Sequence, residues 1–149
     1  MPAETAQPVA YGEPGPAAAG FQHSRTCNLP VSDVVWRLRE AIEAADLWIL
    51  HEVDPQLLLR RGGYAIGPVR QILFFHPRYV VRMLQADSAA LLEPPLKFVV
   101  LQRPDGSTAI RWFDPAAAFA RYGNPALTEL GKELADLCET ITAIDTDQP

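Results

Sequence analysis

The chain has 149 residues and a formal net charge of −5, with 48% apolar and 21% charged residues. That length allows about 68–70% of the unfolded surface to be buried, enough for one self-sufficient core. The acidic balance supplies no cluster of Lys and Arg for a phosphate backbone or an anionic lipid surface, which argues against nucleic-acid and membrane partners.

The first segment, MPAETAQPVAYGEPGPAAAG, has neither a basic start nor the apolar run of a secretory signal, and no later segment approaches the roughly 20 apolar residues of a membrane-spanning helix. Its Ala, Pro and Gly content cannot bury enough surface to offset the entropy of ordering. Residues 1–18 are therefore expected to be a disordered tail, 19–145 a single domain and 146–149 a short C-terminal tail. Cys27 and Cys138 match no zinc, redox or disulfide spacing, so a soluble protein in the reducing cytoplasm is expected.

From Phe21 to Cys27 the residues alternate with a period of two, placing Phe21, His23, Arg25 and Cys27 on one face of a strand. After Pro30, with Ser32 as the expected N-cap and Asp33 in the first turn, Val34, Val35, Leu38, Ala41, Ile42 and Ala45 recur at helical spacing. LWILHEV (47–53) is an apolar run of strand length, and Asp54-Pro55 opens a turn or helix ending near Gly62-Gly63. VRQILFFHP reads as a buried strand stopped by Pro77, followed by a short helix with Tyr79, Val80, Met83 and Leu84 on one face.

Between LKFVVLQR and STAIRWF, Pro104-Asp105-Gly106 supplies the turn chemistry of a hairpin. Asp114-Pro115 then opens an Ala-rich helix. Asn124-Pro125 opens a longer one with a stripe of Leu127, Leu130, Leu134, Leu137, Cys138 and Ile141. The predicted order is β-α-β-α-β-α-β-β-α-α. Because strands separated by helices suggest crossovers while the last pair is antiparallel, the expectation is an α+β domain with a mixed sheet of about five strands packed by helices.

These segments, in this order, resemble the family catalogued as domain of unknown function 302. The resemblance runs over residues 21–144 and is carried by the opening strand, VSDVVWRLREAIEAADLWILHEVD, ILFFHP, and PPLKFVVLQRPDGSTAIRWFDP. It implies a compact α+β fold and a homodimer, and no settled activity. Where the family often has Asn-Pro after the third strand this chain has His76-Pro77, and where one branch has Pro-Cys before the fourth strand it has Pro95-Leu96.

Three histidines, His23, His51 and His76, combine metal ligation with titration near neutrality, and all lie on predicted strands or strand ends. A lone histidine without ligand spacing is usually a core or rim residue bonded to backbone. The alternative is a histidine projecting into an apolar pocket. His51 is expected to share a face with Leu47, Ile49 and Val53, and His76 to fall in register with Ile72 and Phe74. Such a pocket suits haem or another flat apolar cofactor, with His76 or His51 as the axial ligand and a wall drawn from Phe74, Phe75, Tyr79, Phe98 and Trp112. A zinc site from His51, Glu52 or Asp54 is disfavoured because strand neighbours point to opposite faces.

Asp54 and Asp114 precede proline and read first as helix-start residues, with general-base chemistry requiring a cleft. Arg60-Arg61-Gly62-Gly63-Tyr64, one copy on an acidic chain, reads as a charged helix end and not as an RNA-binding tract. Cys27 lies roughly 13 Å along its strand from His23, too far for a nucleophile–base pair. The expectation is a homodimeric binding domain for a small apolar ligand or cofactor. Two alternatives remain: a small enzyme whose acid-base residues (His51, His76, Asp114) are assembled by the fold, and a structural or partner-binding module.

Overall fold

The computed structural model describes residues 5–144; residues 1–4 and 145–149, which include the predicted C-terminal tail, lie outside the described residues. The strands are β1 (Gln7–Pro8), β2 (Gln22–Cys27), β3 (Trp48–Val53), β4 (Tyr64–Ala65), β5 (Val69–Phe75), β6 (Leu96–Gln102) and β7 (Thr108–Phe113). The helices are α1 (Val31–Ala44), α2 (Pro55–Arg61), α3 (Pro77–Ala86), α4 (Pro115–Ala120) and α5 (Pro125–Thr142), with 3-10 turns at Pro16–Gly20 and Ser88–Leu92. Apart from the short β1–β4 pair, this is the predicted order of elements. Within the segment expected to be a tail, β1 pairs in parallel with β4, and the Gln7 and Val9 amides donate to Gly63 and Ala65 carbonyls at 2.9 and 3.1 Å.

Four of the five helices begin in one way, and the sequence states it. Asp54, His76, Asp114 and Asn124 each precede a proline at the first helical position, where the missing amide and fixed φ cost nothing. Each turns its side chain onto an orphan amide of the first turn: Asp54 accepts from Leu57 at 3.0 Å, His76 from Arg78 at 3.1 Å, Asp114 from Ala116 at 3.1 Å and Asn124 from Ala126 at 3.0 Å. The exception is α1, which starts at Val31 after Pro30, with no side-chain cap; Ser32 lies inside its first turn and is not the cap that its identity suggested.

The five-stranded sheet has the order β2-β7-β6-β5-β3, and every pairing in it is antiparallel. The expected mixed sheet is therefore not formed. Helix α1 carries the chain from one edge strand to the other, so β2 and β3 never become neighbours. The connections through α2 and α3 join adjacent antiparallel strands as long hairpins instead of making parallel crossovers. The tight β6–β7 hairpin forms as the sequence predicts. Gly106 takes φ +88°, the Arg103 amide donates to Ser107 O at 2.7 Å, and the Asp105 carboxylate accepts from the Ser107 amide at 2.9 Å.

One face of the sheet is covered by α1 and α5. Val34, Leu38 and Ile42 of α1, at helical spacing, are fully buried against Ile72, Phe74, Phe98 and Val100 from alternate positions of the two central strands β5 and β6. Each such side chain contributes about 1.5–3 kcal/mol by leaving water. A second apolar cluster, with Phe75, Met83, Phe119, Leu127, Leu130 and Leu134, fills the space between α3, α4 and α5 at one end of the sheet. Leu73, Val99 and Leu101, pointing to the opposite face, belong to neither cluster and remain half-buried.

Candidate functional site

A cleft of about 560 Å³ opens at the end of the sheet where β6 begins and β7 ends. Its walls come from distant parts of the chain. Phe21 precedes β2; Leu92, Pro94 and Pro95 come from the approach to β6, whose first residue is Leu96; Trp112 and Phe113 end β7; and Ala117, Ala118 and Phe119 belong to α4. The peptide bond between Pro94 and Pro95 is cis. The wall is mainly apolar, and a volume between about 300 and 1,000 Å³ is the usual size of a small-molecule site.

Four charged side chains line the cleft: Glu93, Lys97, Asp114 and Arg121. Glu93 is held by Arg121 Nη2 at 3.0 Å and by the Tyr122 hydroxyl at 2.8 Å; donating that hydrogen bond, with some burial, raises the Tyr122 phenol above its ordinary pKa. Asp114 caps α4, and its carboxylate stands 3.7 Å from His23 Nε2. Lys97 contacts the Phe113 ring, 5.9 Å from Nζ to the centroid. At the inner wall lies Cys138, whose thiol burial pushes up to about 12, with the Glu139 and Asp114 charges adding to the shift. It is a neutral thiol, not a nucleophile.

The three histidines do not converge. His23 is on edge strand β2 and His51 on edge strand β3, with three strands between them, so their backbones are separated by roughly 19 Å at the usual interstrand spacing. His51 is not on the face predicted for it. Ile49 pairs with Phe74 and His51 with Leu73, leaving Leu50 as an extra residue; this bulge turns His51 to the face away from α1, where it is exposed. Glu52 takes the inward position instead and pairs with Arg39 of α1, which raises the Arg39 pKa. His76 is occupied as the N-cap of α3 and packs edge-on against Trp48 at 5.1 Å.

The expected aromatic wall divides in the same way. Phe74 is fully buried beneath α1, stacked on Phe98 at 4.6 Å. Tyr79 is wedged between the two apolar clusters with Arg78 over its ring. Of the residues proposed to bind a ligand, only Trp112 lines the cleft, with the His23 ring tilted against it at 5.6 Å between centroids. Among the described residues no group of three His, Cys, Asp or Glu side chains is placed to hold a metal ion, and no helix is long and apolar enough to cross a membrane. Leu92, Leu96, Lys97 and Ala118 were missed because no local pattern marks them; the only sequence signal nearby was the run of prolines before β6.

An antiparallel five-stranded sheet packed by helices on one face defines an α+β domain, here with an apolar cleft at the end of the sheet. The chain belongs to the family described as "Domain of unknown function DUF302", which it matches over residues 23–144. The crystal structure of an uncharacterized conserved DUF302 protein from Bacillus stearothermophilus has the same fold, with a TM-score of 0.74 at 20% identity over 81% of this chain and 95% of that one. No curated protein matches the chain.

The structure also gives a reason why His76 can stand where the family often has asparagine. Both side chains accept a hydrogen bond from the first turn, and an imidazole Nδ1 does so here for the Arg78 amide. His76→Asn is therefore expected to keep full stability and His76→Ala to lose about 1 kcal/mol in urea unfolding. Equal losses in both variants would show that the ring's packing on Trp48, and not the cap, is what matters.

Cys27, half-buried on an edge strand, and Cys138, buried on the inner face of α5, should differ sharply in reactivity. Iodoacetamide at neutral pH is expected to label Cys27 in the native protein and Cys138 only after unfolding, as read by peptide mass spectrometry. Because the folded Cys138 pKa lies above the unfolded value of about 8.5, its contribution to stability is complete below that pH and is lost as pH rises toward about 12.

Proposed function

We propose that this is a non-enzymatic binding domain that takes a small, largely apolar molecule into the cleft at the end of the sheet. The observation that carries the reading is the cleft itself: about 560 Å³, walled by aromatic, proline and alanine side chains, with a few polar groups at fixed positions. A haem held through His51 or His76 is not part of the proposal, since one is exposed on the other face and the other is committed to a helix cap. The small-enzyme alternative would rest on His23 and Asp114 at 3.7 Å, not on the histidines expected from sequence.

The test is a thermal-denaturation screen of hydrophobic ligands, with haem included. A ligand at about 100 times its Kd adds about 2.7 kcal/mol, which for a domain of this size raises Tm by about 5–10 °C. Ala118→Trp, which places an indole in the cleft from a half-buried position on α4, is expected to abolish that shift while the protein stays folded. A panel without any shift would remove the reading.

A homodimer belongs to the same proposal. It is supported by the face of the sheet that no helix covers, where Leu73, Val99 and Leu101 lie beside Gln71 and Arg111, away from the cleft end. Light scattering after gel filtration is expected to give the mass of two chains for the native protein and of one for Val99→Glu. The two unpaired cysteines suit a reducing, cytoplasmic setting.

A further inference from the structure

The charges around the cleft are unequal in what they already hold, and this inequality identifies the kind of ligand. Glu93 is satisfied by Arg121 and Tyr122, at 3.0 and 2.8 Å. Asp114 is satisfied by the Ala116 amide at 3.1 Å and faces His23. Arg121 is spent on Glu93. The Lys97 ammonium, at a half-buried position, has no carboxylate among the described residues and only the Phe113 ring beside it. An ammonium held near apolar walls gains more from a carboxylate than from a ring face, because a charge-assisted hydrogen bond is stronger than a cation–π contact in the same place.

We infer that the cleft takes an amphipathic monocarboxylate, with its apolar body against Leu96, Trp112, Phe113 and Phe119 and its carboxylate on the Lys97 ammonium. This rests on the binding reading above and names the ligand class for that site. A doubly charged head such as a phosphate monoester fits poorly. Glu93 and Asp114 line the same cleft, and only one cation there is unpaired, so the second negative charge would face carboxylates without compensation. A cationic amphiphile would be opposed by Lys97 and would find both carboxylates already bonded.

Trp112 reports on occupancy, being 5% exposed in the cleft wall, whereas the chain's other two tryptophans, Trp36 and Trp48, are more than half exposed. In a full-length Trp36→Phe/Trp48→Phe background, titrations below the critical micelle concentration would compare decanoate, 1-decanol and decylamine. Decanoate is expected to bind about tenfold more tightly than decanol, and decylamine most weakly. Lys97→Met, which keeps the apolar stem, is expected to equalise decanoate and decanol, while Lys97→Arg keeps the preference. Circular dichroism of each variant checks the fold, and Lys97→Gln replaces the Met variant if that one fails to fold.

If decanol binds as well as decanoate to the native protein, or if the preference survives loss of the Lys97 charge, the carboxylate inference is wrong and the binding reading stands. If none of the three changes Trp112 emission or Tm, both are wrong.

Discussion

Gly131→Val is expected to cost about 3 kcal/mol, near the upper end for overpacking a filled interior. Gly131 sits in the middle of α5, where a glycine by itself weakens a helix by about 1 kcal/mol relative to alanine. Its conservation of space explains the choice: a Cβ there would lie 2.9 Å from the Pro115 carbonyl oxygen, 2.9 Å from Phe119 Cβ and 3.2 Å from Ala116 Cα. Two of these three atoms are backbone, so relief requires α4 to move bodily. Because α4 also carries Ala117, Ala118 and Phe119 into the cleft, the same substitution should weaken ligand-induced stabilisation beyond its effect on folding. Urea unfolding with and without ligand separates the two effects. A variant within about 0.5 kcal/mol of the native protein, the range of an ordinary surface change, would mean that α4 and α5 are not packed this closely.

Phe98→Ala is expected to be costlier still, about 4 kcal/mol, within the range for removing a buried aromatic ring. Phe98 is fully buried in the central strand β6, stacked on Phe74 at 4.6 Å and edge-on to Trp112 at 5.8 Å. The sheet on one side and α1 on the other leave its neighbours little freedom to collapse into the void. Trp112 loses its support from behind, so its emission should shift to longer wavelength even under conditions where the protein remains folded. Phe98→Leu, which retains most of the volume, should recover more than half of the loss. A small loss for Phe98→Ala, with unchanged emission, would place the cleft wall on some other support.

These two expectations draw on different levels of the structure. That 98 lies in a buried strand follows from the apolar run LKFVVLQ next to an unambiguous turn, where an aromatic residue is usually core. That 131 must be glycine does not follow from α5 alone, because the atoms that exclude a side chain belong to a different helix. The cleft is of the second kind. Phe21, Leu96, Trp112 and Ala118 come from four segments, and each is unremarkable in its own segment, so neither periodicity nor motif spacing marks them.

The histidines show how local reading fails. Period-two alternation placed His51 with Leu47, Ile49 and Val53, and one bulged residue, Leu50, separates it from Ile49 while leaving it on the face of Val53. Hydrogen-bonding capacity made His76 look like a metal ligand, while Pro77 beside it was the clue to its use as a cap. His23 was placed on the correct strand face with Arg25 and Cys27, but its neighbours Trp112 and Asp114 are contributed by β7 and the residue that follows it, some 90 positions away.

By itself, then, the sequence determined the α+β class, the order of ten elements, the Pro104-Asp105-Gly106 hairpin and the Asx-Pro helix starts, because all of these depend on side-chain chemistry acting over a few residues. Tertiary structure alone decided that the sheet is antiparallel throughout, that β2 and β3 lie at opposite edges, and that a cleft with one unpaired ammonium opens at the end of β6 and β7. The physical reason is that turn chemistry and hydrophobic period set where a strand begins and which face it buries. Which strands become neighbours is set by how α1 and α5 pack over the whole sheet.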